Sequence, residues 1–260
     1  MLLCIDVGNS NITFGMYKDG HLIYTFRMET KEIQTIDQLD EQFAFVCNNY
    51  SFKMEEIETI VIASVVPRID VIFENYFKEN NINYKFVDYS TSIGIDIKIN
   101  NPSELGSDLL VGAYQAVYKY GAPCIVVDMG TATTLSLVSS NKDFLGGVIY
   151  PGVLSSFNNL VKDTSKLTNV NVETPASVIG KSTTECLQSG MLYASSEAVN
   201  GLIKLIKEES GINDIKVIIT GGIASFLHPY INSSIYDENL LLDGLYNIYI
   251  NFIRKQYNKY

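Results

Sequence analysis

CIDVGNSNITFGMY, residues 4–17, and VVDMGTATTLSLVS, residues 126–139, decide how this chain folds. Each opens as an apolar strand, reaches an Asp-x-Gly corner with small polar residues, and returns as a second strand. Asp128 follows Asp6 by 122 positions, close to half of the 260 residues. One supersecondary unit used twice is the simplest account. It predicts two similar halves, divided near Gly112–Ala122 and facing each other across a cleft.

The segments around these corners extend the pattern. In the first half Lys18-Asp19-Gly20 is a hairpin turn signal leading to a third strand, His21–Met28. Ile36, Leu39, Phe43 and Val46 have helical spacing. The β-branched run Thr59–Val66 suits a buried strand that Pro67 ends, with a helix over Ile69–Glu79 and a short strand at Tyr84–Val87. In the second half a strand over Ile125–Asp128 and its return Leu135–Val138 lead to the Gly146–Gly152 stretch, which reads as a strand entering a turn. A long helix over Glu185–Glu209, a strand over Ile215–Thr220 and a last helix near Leu240–Tyr257 follow. The class is α/β, with mixed sheets that begin as antiparallel meanders.

Composition removes several functions. Nineteen Lys and Arg against 29 Asp and Glu give a net charge of −10, which disfavours polyanions, so no nucleic-acid partner is expected. No apolar run approaches the roughly 18 residues of a membrane span, and the first residues lack a basic leader. The expectation is a cytoplasmic protein without membrane contact. Cys4, Cys47, Cys124 and Cys186 are scattered without a CxxC pair, and only His21 and His228 accompany them. Packing is their expected role; a zinc site or a histidine-based triad is not.

Chemistry is expected at the corners. Gly8, Asn9 and Ser10, and again Gly130, Thr131 and Thr133, offer backbone donors that can cradle an anion, and Asp6 and Asp128 stand ready for a cation. Thr220-Gly221-Gly222 ends a strand where backbone can approach a flat ligand such as adenosine. Asp108 lies near the start of a helix, where it complements the dipole or acts as a base toward a substrate hydroxyl. Gly180-Lys181-Ser182-Thr183 ends like a P-loop, but Pro175 occupies the place of the first glycine, so that reading is rejected.

Assembled in order, these pieces resemble the type III pantothenate kinases, members of the acetate kinase, sugar kinase, Hsp70 and actin superfamily. The resemblance runs through Asp6-x-Gly8-Asn9-Ser10, Ser64-Val65-Val66-Pro67, Asn101-Pro102, Gly106-x-Asp108 and Asp128-x-Gly130-Thr131-Ala132. It continues through Gly146-Gly147-x-Ile149-x-Pro151-Gly152, Thr164-Ser165-Lys166-Leu167 and Gly180–Thr183. It implies two ribonuclease H-like (actin-type ATPase) lobes, residues 1–115 and 116–260, each a mixed sheet flanked by helices. It also implies ATP-dependent phosphorylation of pantothenate to 4'-phosphopantothenate, the first step toward coenzyme A, by a homodimer. Asp6, Val7, Gly8, Asn9, Ser10, Asn11, Ile12 and Thr13 would bind the ATP phosphates, with Thr131 on the same nucleotide. Gly106, Ser107, Asp108, Leu109 and Thr183 would bind pantothenate, Asp108 being the proton acceptor. Asp128 would hold a monovalent cation, K⁺ or NH₄⁺, and Asp6 a Mg²⁺ through water.

Departures from the family pattern fall on the acceptor side. Leu109 stands where the family has Arg, Ile99 where it has Tyr, and Gly112 where it has Asn. Losing the Arg fork removes a contact suited to a carboxylate, worth about 1.5–3 kcal/mol. Arg68 and Lys181 are candidate replacements, or else solvated surface charges. Two other functions fit the same residues: a nucleotide-binding regulator without kinase activity, and a kinase for another small hydroxyl substrate.

Overall fold

A computed structural model of the chain describes residues 1–162 and 171–254. The chain forms two compact units: Met1–Ile95 with Asn100–Gln115 and the segment from Leu240, and Asp96–Ile99 with Ala116–Asn239. The Thr164–Leu167 stretch of the family resemblance lies outside the described residues.

In the first unit β1 (Leu2–Val7), β2 (Asn11–Lys18) and β3 (His21–Glu29) form an antiparallel meander. Asp19 and Gly20, both at positive φ, make the two-residue turn between β2 and β3. Helix α1 (Ile36–Tyr50) is capped by Thr35, whose hydroxyl accepts the Gln38 N–H. β4 (Thr59–Ser64) then pairs parallel with β1, Pro67 opens α2 (Pro67–Glu79), and β5 (Tyr84–Phe86) completes the order β3-β2-β1-β4-β5. β1 is buried at five of its six positions because it is central, whereas edge strand β3 is mostly exposed.

Alternation along β1 sends Leu3, Ile5 and Val7 to a core shared with Leu39 and Phe43 of α1 and Ile69, Phe73 and Phe77 of α2. There Phe14 stacks on Phe26 at 4.3 Å and meets Phe43 edge-on at 5.9 Å. Cys4 and Asp6 share the other face. Helix α3 (Ser107–Tyr120) starts in this unit.

The second unit repeats the topology. A short strand β6 (Asp96–Ile97) precedes β7 (Cys124–Met129), β8 (Ala132–Val138) and β9 (Asp143–Pro151), the last three another antiparallel meander. Helix α4 (Val153–Lys162) follows β9. α5 (Thr183–Ser189) runs through a wide turn at Gly190–Ala194 into α6 (Ser195–Ser210), so the single helix expected from sequence carries a local bulge. β10 (Lys216–Thr220) pairs parallel with β7, then come α7 (Ala224–Leu227) and β11 (Ser234–Tyr236). The order β11-β10-β7-β8-β9-β6 reproduces that of the first sheet, with β6 added at the edge.

One boundary differs from the expected 116–260. Helix α8 (Leu240–Ile248), extended by a wide turn over Tyr249–Ile253, packs on β1 and β4 of the first unit. Leu240, Leu242, Leu245 and Ile248 of this helix are buried. Gly15 and Gly244 permit close approach, to Leu242 and to Val111 of α3. Asn247 donates to Gln115 at 3.0 Å and Asn251 to Tyr114 at 2.9 Å. Among the described residues, no helix is long and apolar enough to cross a membrane.

Cys4 and Cys124 are buried and Cys47 is half-buried, as packing residues should be, but Cys186 is exposed on α5. Burial pushes the Cys4 thiol well above its usual value and the Cys124 thiol up to about 12, so neither is a nucleophile.

Candidate active site

The duplication holds at both corners, with a difference of one residue. Asp6 pairs with Thr13 and Val7 with Ile12, leaving Gly8–Asn11 as the loop, closed by Gly8 N–H donating to Asn11 O at 2.9 Å. Asp128 pairs with Thr134 and Met129 with Thr133, leaving only Gly130–Ala132, closed by Gly130 N–H to Ala132 O at 3.1 Å. The strands entering the corners align at an offset of 122, as the sequence suggests. The strands leaving them align at 121, so the structural counterpart of Thr13 is Thr134.

Thr30, the residue after β3, holds the first corner. It is fully buried; its hydroxyl donates to Gly8 O at 2.7 Å and its N–H to Ser10 O at 3.0 Å. Arg68 in turn donates to Thr30 O at 3.1 Å and to Ile33 O at 2.9 Å. Arg68 is exposed, as a surface charge should be, but two of its guanidinium nitrogens are engaged by main-chain carbonyls.

The Asp108 loop belongs to the same unit. Val65 N–H donates to Val7 O at 3.1 Å, continuing the β1–β4 pairing to the carboxyl ends of both strands. Ser107 is buried and donates to Ser64 O at 2.7 Å, which ties the start of α3 to the end of β4. Gly106 lies in van der Waals reach of Val65, and a Cβ on it would collide with Asp108 Oδ1. The fold thus gathers Asp6–Thr13 and Gly106–Leu109 at the carboxyl ends of neighbouring parallel strands, the usual position for ligands on such sheets. Asp108 Oδ1 accepts the Leu109 N–H at 2.8 Å. Burial nonetheless raises the Asp108 carboxyl above the ordinary carboxylate range, with the N–H groups of Leu109 and of Asp108 itself opposing it. An ionised Asp108 is accordingly a better base than a solvated one.

Backbone contact closes the second corner. Gly152, the residue after β9 and so the counterpart of Thr30, donates its N–H to Thr131 O at 3.2 Å, and Ser155 adds its hydroxyl at 3.0 Å. A Cβ on Gly152 would strike the carbonyls of Gly130 and Thr131. Gly221, at φ +101°, packs against Asp128 and Met129, where a Cβ would lie 2.6 Å from Asp128 Oδ1. Its glycine is explained by that approach. Asp128 is flanked in register by Thr134 on β8 and Thr220 on β10, and Thr134 Oγ1 is buried without a hydrogen-bond partner.

Thr183 is exposed at the first position of α5, in the second unit. Around it Ser182 caps the helix by accepting the Glu185 N–H at 3.2 Å, and Glu185 accepts the Lys181 N–H at 2.6 Å. The Ser182 and Glu185 side chains thus take up backbone N–H groups at the start of the helix, in the manner of a capping box. Sequence reasoning passed over Thr30 and Ser155, and named Ser64 only as part of the Ser64–Pro67 stretch. A lone Thr or Ser after a strand carries no signal until its partner is known.

Comparison with solved structures gives a consistent fold. A Campylobacter jejuni protein classed as a Baf-family transcriptional activator matches at 24% identity over 98% of this chain and 99% of its own, with a TM-score of 0.58. A Porphyromonas gingivalis protein classed as an N-acetylglucosamine kinase matches at 12% identity, over 96% and 99%, with a TM-score of 0.57. The Clostridium difficile activator of 2-hydroxyisocaproyl-CoA dehydratase, with bound ADPNP, matches at 11% identity, over 100% and 97%, with a TM-score of 0.54. These likenesses speak for the fold, the two-sheet α/β architecture of actin-like ATPases and sugar kinases. Activity rests on a different match: the family model described as type III pantothenate kinase spans residues 2–205, well over half the chain. The chain belongs to the type III pantothenate kinase family, phosphotransferases acting on pantothenate with ATP.

Proposed function

We propose that Asp108 is the base that takes the proton from the pantothenate hydroxyl as that oxygen attacks the γ-phosphorus of ATP in line. The observation that carries this reading is the half-buried Asp108 carboxyl, raised in basicity and fixed by Ser107 at the end of β4 beside the Asp6–Gly8 corner. The corner Asp6, Val7, Gly8, Asn9, Ser10, Asn11, Ile12 and Thr13 holds phosphate oxygens. Thr131 is a further nucleotide contact, while Gly106, Ser107, Leu109 and Thr183 contact pantothenate. The Asp108 carboxylate accepts the proton and the ADP oxygen leaves with the bonding pair.

Two cations belong to this reading, and the donor sets suit them. No cluster of three or more Asp, Glu, His or Cys able to hold a metal occurs among the described residues. A single carboxylate such as Asp6, acting through water, matches Mg²⁺, which keeps several waters and takes its other ligands from phosphates. That ion would neutralise phosphate charge. Asp128 flanked by neutral hydroxyls, one of them the unpartnered Thr134 Oγ1, offers the all-oxygen set that suits K⁺ or NH₄⁺. A homodimer in the cytoplasm completes the proposal. The apolar side chains that the second unit leaves open support the dimer, Ile149 at 69%, Val178 at 62% and Ile179 at 80% exposed.

The test is steady-state turnover of pantothenate with ATP, Mg²⁺ and K⁺, together with ATP binding measured separately. Turnover lost in Asp108→Asn with ATP affinity kept supports the assignment. Absence of turnover in the wild-type chain with ATP binding intact overturns the base role and favours the regulator.

A further inference from the structure

The first corner has a support that the second lacks. Thr30 holds the carbonyls of Gly8 and Ser10 on its own side of the loop. Peptide bonds are planar and trans, so each carbonyl turned toward Thr30 turns the next N–H away from it. Those N–H groups belong to Asn9 and Asn11, and Asn9 and Ser10 are exposed. Successive amides aimed outward from a loop form an anion-binding concavity.

Thr30 itself opens a short 3₁₀ turn, Thr30–Glu32, whose own closure is weak: Ile33 N–H reaches Thr30 O at 3.4 Å. Arg68 spans that turn from the first turn of α2, one guanidinium nitrogen on Thr30 O and another on Ile33 O. Only a planar fork supplies two donors in this fixed geometry; an ammonium is a single point of charge. The second corner needs no such brace. There Gly152 leads straight into α4, and Ser155 on that helix gives the second donor to Thr131 O.

We propose that Arg68 is a positioning residue for ATP: acting through Thr30, it holds the Asn9 and Asn11 amides in the orientation that receives phosphate oxygens. This rests on the reading of Asp6–Thr13 as the phosphate corner. The role is specific to phosphate, because among the described residues the Arg68 guanidinium hydrogen-bonds only Thr30 and Ile33, and Thr30 leads to the corner loop.

The experiment compares ATP, ADP and adenosine binding by calorimetry in wild type, Arg68→Gln, Arg68→Lys and Gly8→Ala. Arg68→Gln is expected to weaken ATP and ADP about tenfold, the loss of a charge-assisted pair of hydrogen bonds, and to leave adenosine unchanged. Arg68→Lys should lose nearly as much, since it keeps the charge without the fork, and it carries the test if Arg68→Gln does not fold. In turnover the change should appear in KM for ATP, with kcat and KM for pantothenate unmoved. Equal weakening of all three ligands would reduce Arg68 to a folding residue and overturn the proposal, as would unchanged ATP and ADP affinity in both Arg68 variants. Gly8→Ala separates the two levels. If it weakens ATP while the Arg68 variants do not, the corner stands and the brace falls; if it leaves ATP unaffected, the corner reading falls and the proposal with it.

Discussion

The two corners of this chain share a strand order and a hydrogen-bond plan, yet they are held by opposite means. In both, the residue after the third strand donates its N–H to the loop, Thr30 to Ser10 and Gly152 to Thr131. The first corner is one residue longer and is fixed mainly by side chains, the Thr30 hydroxyl and the Arg68 fork. The second is shorter and is fixed mainly by close backbone approach at Gly152 and Gly221, with the Ser155 hydroxyl as a side-chain donor. Topology survives duplication because a sheet pairs as a whole. Loop length and bracing diverge because each concerns only a few hydrogen bonds. The first corner should therefore be adjustable by substitution, and the second brittle.

The largest expected effect marks a function only the first unit carries. Asp108→Asn should lower kcat about 10²- to 10⁴-fold with ATP affinity intact, measured by turnover beside calorimetry. The pH dependence follows from the raised carboxyl. In wild type kcat/KM should fall as pH drops through a value above the ordinary carboxylate range, where Asp108 takes up a proton. For stability the sign is reversed. A pKa raised on folding means the ionised form is disfavoured in the native state, so Asp108 costs stability above that pKa, and the cost vanishes as pH falls below the unfolded value. Asp108→Asn should thus melt higher than wild type at neutral pH, with the gap closing in acid.

Brittleness of the second corner comes next. Gly221→Ala combines a positive φ with collision against Asp128 and Met129, about 3 kcal/mol or more. Gly152→Ala collides with two carbonyls. Both should lower the denaturation midpoint clearly, whereas Gly8→Ala, whose Cβ would sit 3.1 Å from Asn11 O, should cost less. Equal losses at Gly8 and Gly152 would erase the distinction between the corners.

Smaller effects sharpen the picture. Leu109 is half-buried on α3 and has no group that can hold a carboxylate. Leu109→Arg should lower KM for pantothenate about tenfold, read in the same assay with KM for ATP unchanged. Ser155→Ala removes one of two donors to Thr131 O and should cost about 0.5–1.5 kcal/mol in chemical denaturation.

Much of this was legible in the residues. Asp-x-Gly recurring at half the chain length announces a repeat, because the apolar strand, the acid and the glycine are each required locally. Gly106-x-Asp108 before a helical stripe marks the loop that opens α3 and carries the proposed base. The one-residue slip between corners was hidden, since Asn11 and Ile12 align with Thr133 and Thr134 as plausibly as Thr13 does until the register is seen. Arg68 looked like a free charge because its partners are main-chain carbonyls, which any residue supplies. Helix α8 followed the second half in order, and nothing in its apolar stripe says which sheet it will cover.

Sequence by itself determined the strands, the two acid-glycine corners and the family, because those depend on local patterns of apolar, acidic and glycine residues. Tertiary structure alone decided that Thr30 and Arg68 hold one corner, that Gly152 and Gly221 seal the other, and that the last helix returns to the first sheet. Those contacts join positions that share no local pattern, and only the packed fold brings them within hydrogen-bonding or van der Waals range.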